Sequence, residues 1–135
     1  NRSCAVGPLI RLFDDSFTID DARSLQIHLK VTGTDGYVLD GLNSVDQLSR
    51  TFEELVAAAL GDHHQYPDGF LLMTGTLFAP TEDRDEPGNG FTHKIGDQVE
   101  ISSSAIGKLV NEVGQSEELP PRTYGLREFY SDLSR

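Results

Sequence analysis

Phe70-Leu71-Leu72-Met73-Thr74-Gly75-Thr76 is the stretch around which the rest of the chain reads as arranged. It is a short apolar run that ends in two hydroxyl residues around a glycine, bounded by Pro67-Asp68-Gly69 before it and Ala79-Pro80 after it. A run of this length between turn signals predicts a strand buried on both faces, and it is too short for a globular helix. Two threonines beside a glycine at a strand's end offer hydroxyls and close backbone approach to an anionic or carbonyl-bearing ligand. An ordinary core strand is the competing reading, because strand propensity alone already favours threonine.

Upstream of this run, Val6, Leu9, Ile10, Leu12 and Phe13 suggest a strand after Gly7-Pro8, closed by a turn at Asp14-Asp15-Ser16. Leu25-Gln26-Ile27-His28-Leu29-Lys30-Val31 alternates strictly, with its four aliphatic residues on one face and His28 on the other. Gly33-Thr34-Asp35-Gly36 supplies the turn into Tyr37-Val38-Leu39, so these two strands are expected to pair antiparallel. One long helix is expected from Val45 to Leu60, with Ser44 as N-cap, Gln47 three residues on, and Gly61 as its stop. Within it Leu48, Phe52, Leu55, Val56 and Ala59 recur at spacings of three and four and form one apolar stripe.

Downstream, Ile95 to Ile101 and Ala105 to Val113 read as two further strands, and Leu126, Phe129, Tyr130 and Leu133 as a short amphipathic helix. The aperiodic run from Thr81 to Gly90, hinged by Gly88-Asn89-Gly90, reads as a mobile cover over the end of the central strand. The expected fold is α+β and mainly β: a mixed, mostly antiparallel β-roll with one long packed helix. Several strands against so few helices exclude an alternating α/β chain.

The 135 residues amount to a single domain, 1–135. A formal charge of −11, from 22 acidic against 11 basic residues, repels phosphate backbones and argues against a nucleic-acid partner. The acidic groups Asp14-Asp15, Glu82-Asp83 and Asp85-Glu86 read as solvated loops. No apolar stretch approaches the ~18 residues of a membrane helix, so no membrane is expected as a partner. A single cysteine, Cys4, excludes an internal disulfide and agrees with a reducing, cytoplasmic setting.

Several chemistries fail on spacing. Asp62-His63-His64 reads as a polar loop, because adjacent residues do not share a face. Asp83, Asp85 and Gly88 invite a calcium loop, but Pro87 stands where an oxygen ligand is needed. Gly107-Lys108 lacks the glycine and hydroxyl residue of a phosphate loop. With no G-x-S-x-G turn the chain shows no hydrolase nucleophile, and Cys4 reads as a small buried residue.

The order Asp68-Gly69-Phe70-Leu71-Leu72-Met73-Thr74-Gly75-Thr76, then Ile95-Gly96-Asp97-Gln98-Val99-Glu100-Ile101, then Ile106-Gly107-Lys108-Leu109-Val110-Asn111-Glu112-Val113 resembles the C-terminal half of the fumarylacetoacetate hydrolase superfamily. Ser3-Cys4-Ala5-Val6-Gly7-Pro8 is similar to the segment that opens this half. The resemblance implies a C-terminal fragment of a larger catalytic domain. It implies a divalent cation, magnesium, in the intact protein, with Asp and Glu ligands upstream of these residues and none in this chain. The implied partners are a small 2-oxo acid and the missing N-terminal part, in a homo-oligomer.

By the same resemblance Thr76 contacts the substrate's carboxylate or metal-bound oxygens, and Gly75 brings the backbone close enough for its N–H to assist. Thr74 is a further substrate-binding candidate, with packing as its competing role. No catalytic residue and no metal ligand is assigned within the chain.

The run from Phe78 to Asp85, Gly90 to Lys94 and Thr123-Tyr124-Gly125 resemble the branch that dehydrates 2-oxo-3-deoxy sugar acids. Members carry tryptophan at the position of Arg122, and this chain has none. Arg84, His93 and Lys94 are read first as surface residues, and they are the ionisable residues within reach of a polyhydroxy acid from that side. The expected function is therefore part of a metal-dependent lyase or hydrolase acting on a 2-oxo acid, with sugar-acid dehydration first. A carbon–carbon bond hydrolase or isomerase of the same superfamily is the alternative, and a non-catalytic interaction domain is the alternative of another class. The chain alone is expected to be inactive.

Overall fold

The computed structural model describes residues 5–7, 9–75, 80–121 and 123–135. Its elements in order are α1 (Ile19–Arg23), β1 (Gln26–Thr32), β2 (Val38–Ser44), a 3-10 turn (Val45–Gln47), α2 (Phe52–Ala59), β3 (Gln98–Ser103), β4 (Gly107–Glu112) and α3 (Leu126–Leu133). The four strands form one antiparallel sheet in the order β2-β1-β3-β4. The fold is α+β, as the strand patterns predict.

Register follows from the alternation in β1. Ile27, Leu29 and Val31 stand opposite Asn43, Gly41 and Leu39 of β2. On the other side Leu29 and Val31 stand opposite Ile101 and Val99 of β3, which in turn face Leu109 and Asn111 of β4. Because side chains alternate across a strand, these positions share one face, and a one-residue slip would move the whole set to water. Val31 and Leu39 are fully buried at its centre. Burial of each is worth roughly 1.5–3 kcal/mol. The other face is polar at His28, Lys30, Asp40 and Glu100, and Lys108 pairs there with Glu100 at 3.1 Å.

Gly33 closes the β1–β2 hairpin, its N–H donating to the Tyr37 carbonyl, and Gly36 takes the positive φ of 84° that the turn requires. The strands expected between Ile95 and Ile101 and between Ala105 and Val113 are observed as β3 and β4.

Three expectations are corrected. No continuous helix runs from Val45 to Leu60. Ser44 stands at the N-cap position of a short 3-10 turn only and makes no side-chain cap there, its hydroxyl accepting from Gln26 Nε2 at 2.7 Å instead. The chain makes a single 3-10 turn, leaves it at Leu48, and restarts at Thr51. There the Glu54 N–H donates to the Thr51 hydroxyl at 3.2 Å, and the Thr51 N–H donates to the Glu54 carboxylate at 2.8 Å.

Nor is Phe70 to Gly75 a buried strand. These residues pair with no strand, and Leu71 and Met73 are more than 60% exposed. Gly69 and Gly75 hold positive φ values of 84° and 85°, which break an extended run at both ends. Likewise Leu9 to Phe13 form no strand and are exposed. The turn that follows is present: Asp14 and Phe17 exchange backbone hydrogen bonds, and Phe17 is buried against the Phe13 ring at 5.8 Å.

Candidate functional site

Two sites emerge from this frame. The first lies on the apolar face of the sheet, where a cavity of about 240 Å3 is lined by Ile27, Leu29, Asn43, Val45, Leu48, Thr74, Gly75 and Ile101. β1 and β3 supply its aliphatic wall, and the end of β2 with the 3-10 turn supplies Asn43, Val45 and Leu48. The segment after Phe70 brings Thr74 and Gly75 to it although that segment is no strand. Two of the three substrate-binding candidates therefore sit together, and Thr76 lies outside the described residues. At Gly75 an added Cβ would meet nothing within 4 Å. What requires glycine there is the positive φ, not a crowded approach. Asn43 was not singled out by the sequence as a ligand contact; its signal is a polar residue on the apolar side of β2, opposite Ile27.

The second site is an ion network at the β1–β2 hairpin. Arg84, read first as a surface residue, is instead almost fully buried. Its Nη1 and Nη2 donate to the two carboxylate oxygens of Asp97 at 2.5 and 2.9 Å, Nη2 reaches Asp35 at 3.2 Å, and its guanidinium lies 4.5 Å from the centre of the Tyr37 ring. This bidentate geometry over an aromatic face uses what arginine alone offers. With both terminal nitrogens engaged, Arg84 is a structural tie rather than a free cation for substrate.

Asp97 is fully buried and also accepts from the Lys94 N–H at 2.8 Å. The Arg84 hydrogen bonds hold its carboxyl down at about 2 in spite of burial, which pushes the other way. Lys94 donates to Asp85 at 2.5 Å and Asp35 at 2.9 Å, and these two bonds raise its pKa. Asp35 is driven well below the usual carboxylate range, first by the Lys94 bond and then by the Tyr37 N–H. His93 is half-exposed, with Nδ1 3.6 Å from Asp97 and its ring edge-on to Phe91.

The same network corrects the reading of residues 81–90 as a mobile cover. Asp83 accepts from the N–H groups of Gly88 and Gly90, both at 2.7 Å, and the Arg84 N–H donates to the Gly90 carbonyl. The loop is tied to itself and to the hairpin, and none of its described residues lines the sheet-face cavity. Its acidic residues are exposed, as expected, and two of them also bond within the protein: Asp83 organises the loop and Asp85 pairs with Lys94.

Asp62-His63-His64 is a turn in which Gly61 and His64 exchange backbone hydrogen bonds. Among the described residues no group of three or more His, Cys, Asp or Glu side chains is placed to hold a metal ion. No helix among them is long and apolar enough to cross a membrane.

The chain is 34% identical over 110 residues to a 2-dehydro-3-deoxy-D-arabinonate dehydratase from Saccharolobus solfataricus. The match takes in 82% of this chain and 33% of that protein, so the chain spans about a third of the length of the curated relative it matches. No protein-family model matches the chain. No solved structure matches it. The similarity to the dehydratase supports the placement in the fumarylacetoacetate hydrolase superfamily to which the ordered motifs point.

Proposed function

We propose that the chain is part of a sugar-acid dehydratase, a lyase that removes water from a 2-oxo-3-deoxy sugar acid, and that the sheet-face cavity is where this chain meets the substrate. The observation that carries the reading is the match to a 2-dehydro-3-deoxy-D-arabinonate dehydratase across most of the chain. The cavity's chemistry agrees with it. At about 240 Å3 it falls below the roughly 300–1,000 Å3 of sites for drug-sized ligands, which suits a small acid.

Its wall of Ile27, Leu29 and Ile101 is apolar, and a ligand seated against it would displace water and strengthen each polar contact made beside it. The Thr74 hydroxyl donates and accepts at one side of this wall. Thr76, one residue past Gly75, takes the role the superfamily resemblance gives it, contact with the acid end of the substrate. Holding both ends of a flexible acid against a shaped wall fixes the reacting carbons relative to the groups that move the proton.

A divalent cation is part of the proposal for the intact protein, where it would polarise the substrate's oxygens as a Lewis acid. The described residues do not fit such a centre. They offer no group of three ligands, and Asp35, Asp85 and Asp97 are each held by a cation of the chain itself. Its ligands are therefore to be sought elsewhere in the protein, and no step here runs through it.

The test is a dehydratase assay on the intact protein with 2-oxo-3-deoxy pentonate. Turnover is expected in the wild type and is expected to fall strongly in Thr76→Ala. Absence of turnover by the wild type refutes the dehydratase reading, and full activity in Thr76→Ala refutes the role of that residue.

A further inference from the structure

The wall of the sheet-face cavity is aliphatic at Ile27, Leu29, Val45, Leu48 and Ile101. Asn43 breaks it. It sits near the end of β2, opposite Ile27, on the face that carries Leu29, Val31 and Leu39, where strand alternation would place another aliphatic residue. It is half-buried and lines the cavity as the polar exception among these aliphatic residues. A ligand that displaces water from this amide must replace the hydrogen bonds it removes, so a ligand group able to do so is favoured there.

We propose that Asn43 is a specificity-determining residue of this site, its side-chain amide reading a hydroxyl on the carbon chain of the bound sugar acid. The assignment rests on the sugar-acid reading above. An amide presents two N–H donors and one carbonyl acceptor in a fixed plane. A hydroxyl donates as well as accepts and so satisfies both sides of that plane. A carboxylate accepts only, and would leave the amide oxygen against an anion. The acid end therefore belongs with the Thr74–Gly75 side of the cavity, and the hydroxylated end belongs with Asn43. A site that hydrogen-bonds a substrate hydroxyl rejects the analogue lacking it, because the protein's own polar group is then left unpaired.

The experiment compares the intact wild-type protein with Asn43→Leu and Asn43→Ser. Leucine keeps the number and branching of the side-chain heavy atoms without the amide, and serine keeps a group that both donates and accepts. For each protein the KM for 2-oxo-3-deoxy pentonate is measured, together with the inhibition constant of 2-oxopentanoate, which has the acid end and no hydroxyl. Asn43→Leu is expected to raise the KM about fivefold or more, the loss of one neutral hydrogen bond. It should leave the 2-oxopentanoate constant within twofold, and Asn43→Ser should recover part of the loss. A parallel rise in both constants would place Asn43 at the acid end or make it mere packing, and an unchanged KM would remove it from the site. Either result overturns the assignment while the dehydratase reading stands. A wild type that does not turn over the sugar acid refutes that reading, and this assignment with it.

Discussion

Asp97→Asn is the perturbation that most directly probes what holds the 80–94 loop to the sheet. The substitution is nearly isosteric and removes one charge from a side chain with no exposure. It abolishes the bidentate pair with Arg84 at 2.5 and 2.9 Å, while the Lys94 N–H can still donate to the remaining carbonyl oxygen. The guanidinium stays buried, with the same carbonyl oxygen still able to accept from Nη1 and with Asp35 at 3.2 Å and the Thr92 carbonyl at 3.3 Å as its other partners. Removing one partner of a buried ion pair typically costs about 3–5 kcal/mol, because the other charge is left uncompensated. Asp35 continues to pair with Arg84, which puts the expected loss near the lower end, about 3 kcal/mol. Guanidinium chloride unfolding of wild type and variant, read by circular dichroism, measures it. A loss within about 0.5 kcal/mol, the usual size for an unremarkable surface change, would show that the pair is not what fastens the loop.

Further outcomes follow from the same geometry. Asp97 has its pKa lowered from 3.8 to about 2 in the fold. A depressed carboxyl contributes stability that is complete above the unfolded value and is lost as pH falls through the folded one. Unfolding free energy should thus fall between about pH 4 and pH 2, with Asp35 adding in the same direction, and Asp97→Asn should flatten that limb of an acid titration. Thr51→Ala removes the cap of α2 and should cost about 1 kcal/mol in the same unfolding assay. Gly75→Ala meets no atom but forces a side chain into a φ of 85°, a cost of roughly 1–2 kcal/mol. By re-aiming Thr74 it should also lower kcat/KM by on the order of tenfold to a hundredfold in the dehydratase assay.

What the sequence makes legible here is whatever local periodicity and turn chemistry determine by themselves. The alternation from Leu25 to Val31, the Gly33 to Gly36 turn and the two strands after Ile95 need only their neighbours, and all are present in the sheet. α1 also carried a readable signal, the Thr18 and Asp21 capping pair, whose bonds of 2.7 and 3.3 Å start that helix. The apolar run at Phe70 failed because apolarity makes a segment eligible for a sheet without providing a ladder partner, and the positive φ of Gly69 and Gly75 turns the chain at both of its ends. Ser44 starts only a 3-10 turn and makes no side-chain cap, because its hydroxyl accepts from Gln26 across the strand pair.

Thr74 and Gly75 were singled out from their residue types and the superfamily resemblance, and both line one cavity. Arg84 was misread because a sequence shows a cation's charge and not its partners: Asp35 and Asp97 lie 49 and 13 residues away. Asn43 escaped notice because strand register, invisible before the hairpin closes, decides which way it faces.

The central claim, that the sugar acid is held on the apolar face of the sheet, is tested most directly by isoleucine-methyl NMR of the intact protein titrated with 2-oxo-3-deoxy pentonate. Ile27 and Ile101 line the cavity, whereas Ile19 in α1 and Ile106 at the β3–β4 turn do not. Saturable shifts at Ile27 and Ile101, with Ile19 and Ile106 unmoved, are the predicted result. Saturable binding that leaves the Ile27 and Ile101 methyls unshifted would contradict it.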